Sequence, residues 1–303
     1  MQKNNILTLL WKIAIWVFAV IGFTFTFVYF AMHFGLLNVR GAISERNAFF
    51  TQGTNDGQGI TNASSSIPNV PCSASTSTIC AWNKTPEWAA IAGGLSKDQA
   101  VLARVTAETG IPERLIASVV VPEQIRFFTS EREVFKRYFE PLKILGSLSQ
   151  FSLGVSGIKE ATAKEVEKHA TDENSPFYPG KQFAILFSYA PDDDQDKVLF
   201  NRLTDPKDHY YSYLYTAMYI AEIEAQWQRS GKDIRNNPEI IGTLWNIGFA
   251  KSKPNGTPQV GGAEIATGGN SYTFGELAGL FYYSDELTDL FPVGTSSVQR
   301  VDY

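Results

Sequence analysis

Residues 113–128 read ERLIASVVVPEQIRFF, and the character of the fold turns on them. Ile116, Ala117, Val119, Val120 and Val121 precede Glu123, while Ile125, Phe127 and Phe128 follow it. A segment this apolar, with Pro112 at a first helical position, reads as a buried helix. Pro122 lies inside it or at its end, so a kink or break is expected just before Glu123. A carboxylic acid held among apolar side chains is a candidate proton donor, because burial disfavours the charged form. The plainer alternative is that Glu123 caps a broken helix or pairs with Arg126.

Helical patterns continue on both sides. Ser96 and Gln99 form a capping-box signature before QAVLARVTAETG, with Gly110 as its stop. SEREVFKRYFEPLKILG and IKEATAKEVEKHA read as helices with charged faces. A long helix is expected from Asp205–Pro206 to Gly231, with Tyr211, Leu214, Tyr215, Met218, Ala221 and Ala225 at helical spacing. Asn237–Pro238 opens another that carries LWNIG, and TFGELAGLFYYSDELTDLF supplies the last. The Pro, Gly and Asp clusters of 171–204 and 251–272 read as long loops, with a short hairpin within 250–273. The fold class is therefore mainly α. The DDDQD run at 192–196 lacks the Gly and terminal Glu of a calcium loop and reads as a solvated loop.

The N-terminus has a different character. Ile13 to Val39 carries no formal charge and is rich in Ile, Val, Phe and Trp. This exceeds the ~20 helical residues that cross a bilayer, and no small-residue cleavage site follows, so an uncleaved anchor is expected. Residues 1–12 form a short tail, and residues 40–90, rich in Gly, Ser, Thr and Asn, read as a flexible stalk. The basic residues flanking the anchor barely decide its orientation. Cys72 and Cys80 are the only cysteines and bracket a short Ser/Thr loop. As a disulfide they would place the C-terminal part in an oxidising compartment; the alternative is two separate thiols. Without residues 1–39, 24 basic and 31 acidic residues remain, a net of −7, which argues against a nucleic-acid partner.

Three segments in order, Glu123 at a helix end, SLGVSGIKEATA at 152–163 and LWNIG at 244–248, resemble the lysozyme-like lytic transglycosylases. That superfamily carries a catalytic Glu, then S-x-G-x-x-Q-I-x-P-x-T-A, then Y-N-x-G. Ser152, Gly154, Ile158, Thr162 and Ala163 match the second motif without a gap, and Asn246 and Gly248 the third. The resemblance covers residues 96 to 290 and implies a lysozyme-like helical domain, here taken as 91–303. Departures are Gly157 where the family has Gln, Glu160 where it has Pro and Gln124 where Ser is common. About 28 residues separate Glu123 from Ser152, more than is usual, which puts the chain in a divergent branch.

What the resemblance implies is a membrane-anchored enzyme that cleaves peptidoglycan glycan strands outside the cytoplasm, without a cofactor. Glu123 would serve as acid and then base. Ser152, in a turn with Gly154, would hydrogen-bond Glu123 and let backbone amides meet the sugar; the alternative is a helix start with Ser as its cap. Asn246 would present its amide to an N-acetyl group, or else form a turn. Family members place a Tyr ahead of the final helix, and Tyr272 is the candidate. The alternatives are an inactive glycan-binding or scaffold protein of the envelope, with partners unspecified, and a hydrolytic muramidase. A muramidase needs a second carboxylate, for which Asp192, Asp193 and Asp194 are candidates only by being acidic.

Overall fold

The computed structural model describes residues 78–129, 152–153, 155–205 and 207–293, together with 11–12, 15–16, 18–24 and 26–27. The chain divides into two units, Met1–Gly59 and Ile60–Tyr303. In the first, the described residues are helical and expose Trp11, Trp16, Phe18, Phe23 and Phe27. No described helix is long and apolar enough to cross a membrane. Much of the expected 13–39 anchor, and residues 40–77 of the stalk, lie outside the described residues, as does the helix expected over 130–146.

The second unit is mainly helical, and its folded part begins upstream of residue 91. A 3-10 segment, Thr78–Lys84, leads into helix α1 (Pro86–Lys97), capped by Thr85, whose hydroxyl accepts from Trp88 N at 3.2 Å. Cys80, Trp82 and Trp88 belong to the core, with the Trp82 and Trp88 rings edge-on at 5.0 Å and both against Phe281. The stalk boundary read at residue 90 is therefore corrected: large apolar side chains among the Ser and Thr residues anchor this stretch to the domain. Cys80 is disulfide-bonded and buried; position 72 lies outside the described residues.

Helix α2 (Gln99–Thr109) ends at Gly110, whose φ of 72° supplies the left-handed stop. Its N-cap is Asp98 rather than Ser96, which sits in the last turn of α1 and donates to Ala92 O. Asp98 makes no side-chain cap, because its carboxylate accepts from His209 Nδ1 and Tyr213 Oη, both at 2.7 Å.

Helix α3 (Glu113–Thr129) is the centre of the domain. Residues 114–123 are buried without interruption, as expected of a helix packed on several sides. It packs against α1 and α2 and against three later helices and a hairpin defined below. The break expected before Glu123 is absent. Pro122 removes one backbone bond and costs about 3 kcal/mol, but burial on all sides holds the helix through it.

Strands β1 (Ser152–Leu153) and β2 (Ile158–Lys159) pair antiparallel, with Ser152 opposite Lys159 and Leu153 opposite Ile158. Helix α4 (Glu160–Thr171) follows directly. Ser152 is thus a strand residue eight positions before the helix, and does not cap it. The stretch read as a loop over 171–204 contains a 3-10 segment, Lys181–Phe187, and helix α5 (Gln195–Thr204), through which Phe183, Phe187, Leu199 and Leu203 reach the core.

Helix α6 (Tyr210–Arg229) starts five residues later than Asp205, and α7 (Pro238–Ile247) starts at the proline that announced it. The expected hairpin is β3 (Glu264–Thr267) with β4 (Asn270–Thr273), closed by Gly268 and Gly269 at φ 58° and 80°. Positive φ at both central residues is the demand of a two-residue type I′ turn. Helix α8 (Phe274–Tyr282) opens with a capping box from Thr273 and Glu276, and ends well before the sequence pattern did. α3 touches α6, α7, α8 and β3.

Arg114 locks this arrangement. It is 1% exposed, and its five donors go to the carbonyls of Phe281, Tyr282, Ser284, Glu286 and Phe291, at 2.5 to 2.9 Å. The central helix thereby satisfies the carbonyls at the end of α8 and in the turns after it. Burial pushes the Arg114 guanidinium down to about 10.

Candidate active site

Glu123 lies on α3 and is 6% exposed. One turn on, Arg126 Nη2 donates to both carboxylate oxygens, at 2.5 Å to Oε1 and 2.6 Å to Oε2. Positions three apart share a helix face, so this pair follows from the chain's own spacing. The alternative of an Arg126 partner is thus present in the structure, and it coexists with burial.

The other wall of the carboxylate is the turn between β1 and β2. Gly157 there has φ +64°, and a Cβ at that position would stand 2.7 Å from Glu123 Cγ, 2.8 Å from Cδ and closer still to Oε1. The turn is held from two directions. Gln124 Nε2 donates to Val155 O, and buried Ser156 exchanges hydrogen bonds with buried Ser212 of α6, Oγ to Oγ at 3.2 Å. Both departures at Gln124 and Gly157 thus meet at the same place: the first clasps the turn, and the second yields its side-chain space to the acid.

The remaining expected residues are distributed as follows. Ser152 contributes its strand backbone opposite Lys159, while Gly154 lies outside the described residues. Glu160 opens α4 and accepts from Lys164 Nζ at 2.8 Å. Asn246, in the last turn of α7, accepts from Ala263 N at 2.9 Å through Oδ1, and so ties that helix to the chain entering β3. Tyr272, on β4, is buried, and its hydroxyl accepts from Asn270 Nδ2 at 3.2 Å. Its hairpin partner β3 packs on α3, the helix that carries Glu123. Trp245, half-buried, presents its ring edge-on to Tyr219 at 4.8 Å.

Asp192, Asp193 and Asp194 are exposed. Asp194 caps α5 by accepting from Lys197 N at 3.2 Å, and Asp193 accepts from Ala190 N at 2.8 Å. The chemistry of Asp193 and Asp194 is that of a turn and a helix cap.

Two further groups were not singled out by sequence. Glu222 on α6 is 0% exposed, and neither carboxylate oxygen has a hydrogen-bond partner. Burial, reinforced by the charge of Glu165, raises its carboxyl well above the usual range. Its helical position amid Tyr219, Ile223 and Gln226 gave no signal, since an acid on a long helix ordinarily faces water. His169 donates or accepts at Ser175 Oγ, 2.8 Å from Nδ1, and sits 4.8 Å from the rings of Phe177 and Phe249; burial holds it below the ordinary histidine range.

A buried carboxylate between a guanidinium and a side-chain-free turn can bind a hydroxyl or relay a proton once an oxygen is released. Comparison with protein-family models, with curated proteins and with solved structures gave no match to this chain.

Proposed function

We propose that the domain is a lysozyme-like lytic transglycosylase acting on peptidoglycan, anchored to the membrane by its N-terminal segment and working outside the cytoplasm. The observation that carries this reading is the burial of Glu123 against the Gly157 turn, where the motif resemblance also puts the reacting acid. Glu123 protonates the oxygen that leaves as the muramic acid to glucosamine bond breaks. The resulting carboxylate takes the proton of the muramic C6 hydroxyl as O6 bonds to C1, which closes the anhydro ring and restores the acid. One proton enters and one returns, and no water is consumed.

The test is digestion of purified sacculi by the full-length chain in detergent, with products read by mass spectrometry. Anhydro-muropeptides that disappear in Glu123→Gln are expected. Hydrolytic, non-anhydro ends instead would transfer the reading to a muramidase.

A second reading, a glycan-binding scaffold, is favoured by one specific contact. Arg126 occupies both oxygens of Glu123, and an acid catalyst must present one of them. Sacculi bound but left uncut would select it.

A further inference from the structure

Gln124 follows Glu123 on α3, and the two side chains meet the same short turn. Glu123 lays its carboxylate against Gly157, while Gln124 Nε2 donates to Val155 O. Two residues of chain reach at most ~7 Å, so these two contact points lie within the span of one sugar residue and its substituents.

The Val155 contact fixes which way the carboxamide faces. A carbonyl oxygen can only accept, so the Gln124 nitrogen is the end that meets it and the oxygen is the end left over. Gln124 is half-buried, Oε1 is not enclosed, and among the described residues no donor reaches it. An acceptor therefore stands open to solvent beside the buried acid.

The other polar side chains around Glu123 offer no such acceptor. Arg126 carries donors only. Ser156 and Ser212 are buried and occupied with one another, Oγ to Oγ and Ser156 Oγ to Ser212 O, both at 3.2 Å. Asn246, the residue expected to face an N-acetyl group, has its Oδ1 committed to Ala263 N.

We infer that Gln124 is a specificity-determining residue whose Oε1 accepts the N–H of the 2-acetamido group on the sugar whose C1 bond is cleaved. The inference rests on the glycan-cleaving reading and names a substrate feature that is present when the lactyl group carries its amide-linked peptide. The acetamido nitrogen is on C2, next to the carbon that bears the leaving oxygen. A sugar seated with that oxygen at Glu123 thus brings its N–H to the neighbouring side chain on α3. The Val155 bond stays intact, because the nitrogen and the oxygen of the carboxamide serve different partners.

The experiment uses the full-length chain in detergent and a synthetic tetrasaccharide of alternating glucosamine and muramic acid, with a dipeptide amide-linked to each lactyl group. One version carries 2-acetamido groups on the muramic residues; the other carries 2-acetoxy groups there, which keep the size and the carbonyl and lack the N–H. The readout is the ratio of the two kcat/KM values, so effects common to both compounds cancel. Gln124→Met removes both the clasp and the acceptor, whereas Gln124→Lys keeps a donor for Val155 O and offers no acceptor. The acetamido-to-acetoxy ratio is expected to fall roughly tenfold in each variant, the effect of one hydrogen bond. A ratio unchanged in Gln124→Lys, whatever the rates themselves do, reduces Gln124 to a clasp and overturns the inference. Where a chain cleaves neither compound, the same ratio is taken from dissociation constants. An acetamido preference in binding that Gln124→Lys abolishes, with no cleavage by the unsubstituted chain, would overturn the transglycosylase reading and leave the contact standing. Absence of binding to both compounds overturns the contact as well.

Discussion

Gly157 and Glu123 occupy one another's space: the position that would carry a Cβ lies 2.7 Å from the Cγ of the acid, and the glycine backbone there is left-handed, at φ +64°. The acid can be buried where it is only because this residue has no side chain. The relationship links 34 positions of separation in the chain to one local requirement, and it makes the turn part of the site.

On the proposed glycan-cleaving function, Gly157→Ala is expected to lower activity on sacculi by about 100-fold or more, since it displaces the carboxylate from Arg126. The loss of stability should be smaller, on the order of 1–2 kcal/mol, the cost of a left-handed alanine. Parallel measurement of lytic rate and urea denaturation checks this. Activity near the parental level with the fold intact would show that the position of Glu123 is not critical.

Arg114→Met removes five hydrogen bonds and leaves five carbonyls without their donor. A destabilisation of about 3–5 kcal/mol is expected, as for other broken buried charge networks. A midpoint shift in urea reads it directly. A loss under about 1 kcal/mol would mean that water or neighbouring amides replace the guanidinium.

Glu222 supplies a pH dependence of definite sign. Its carboxyl is raised in the folded state by burial and then by Glu165, so the folded protein binds its proton more tightly than the unfolded chain does. Stability from this group is fully present below the ordinary carboxylate range and falls as pH rises above it toward the raised folded value. Glu222→Gln should therefore flatten stability between pH 4 and pH 7 and raise it at pH 7 by at least about 1 kcal/mol. Denaturation midpoints at the two pH values decide. An unchanged pH slope would show that Glu222 ionises without penalty.

A chain begun at residue 91 loses Trp82 and Trp88, which are buried against Phe281. Removing two such aromatics costs about 3–5 kcal/mol each, comparable to a whole domain's stability. Circular dichroism and solubility of this truncation should report an unfolded or aggregated product. A cooperative thermal transition from it would instead place the domain boundary where the Ser- and Thr-rich composition suggested.

Much of the helical plan was legible from single residues. Gly110 stops α2 and Asn237–Pro238 opens α7, each through a backbone preference that acts locally, while the hairpin expected within 250–273 is closed in the structure by the Gly268–Gly269 pair. Local rules failed where packing or competing partners intervened. Ser96 looked like a cap, but Asp98 took the position while its carboxylate went to His209 and Tyr213, over one hundred residues away. Of the kink or break expected at Pro122, the break does not occur: α3 continues through the proline, its surroundings buried on all sides.

For the site, the sequence by itself determined that Glu123 stands among apolar residues and that Arg126 shares its helix face, because both follow from spacing along one helix. Only the tertiary structure decided that Gly157 forms the opposite wall, that Gln124 clasps Val155, and that Glu222 is enclosed without a partner. These are contacts between distant segments. They are fixed by how the β1–β2 turn lies against α3 and α6, and no periodicity within any one helix encodes that choice.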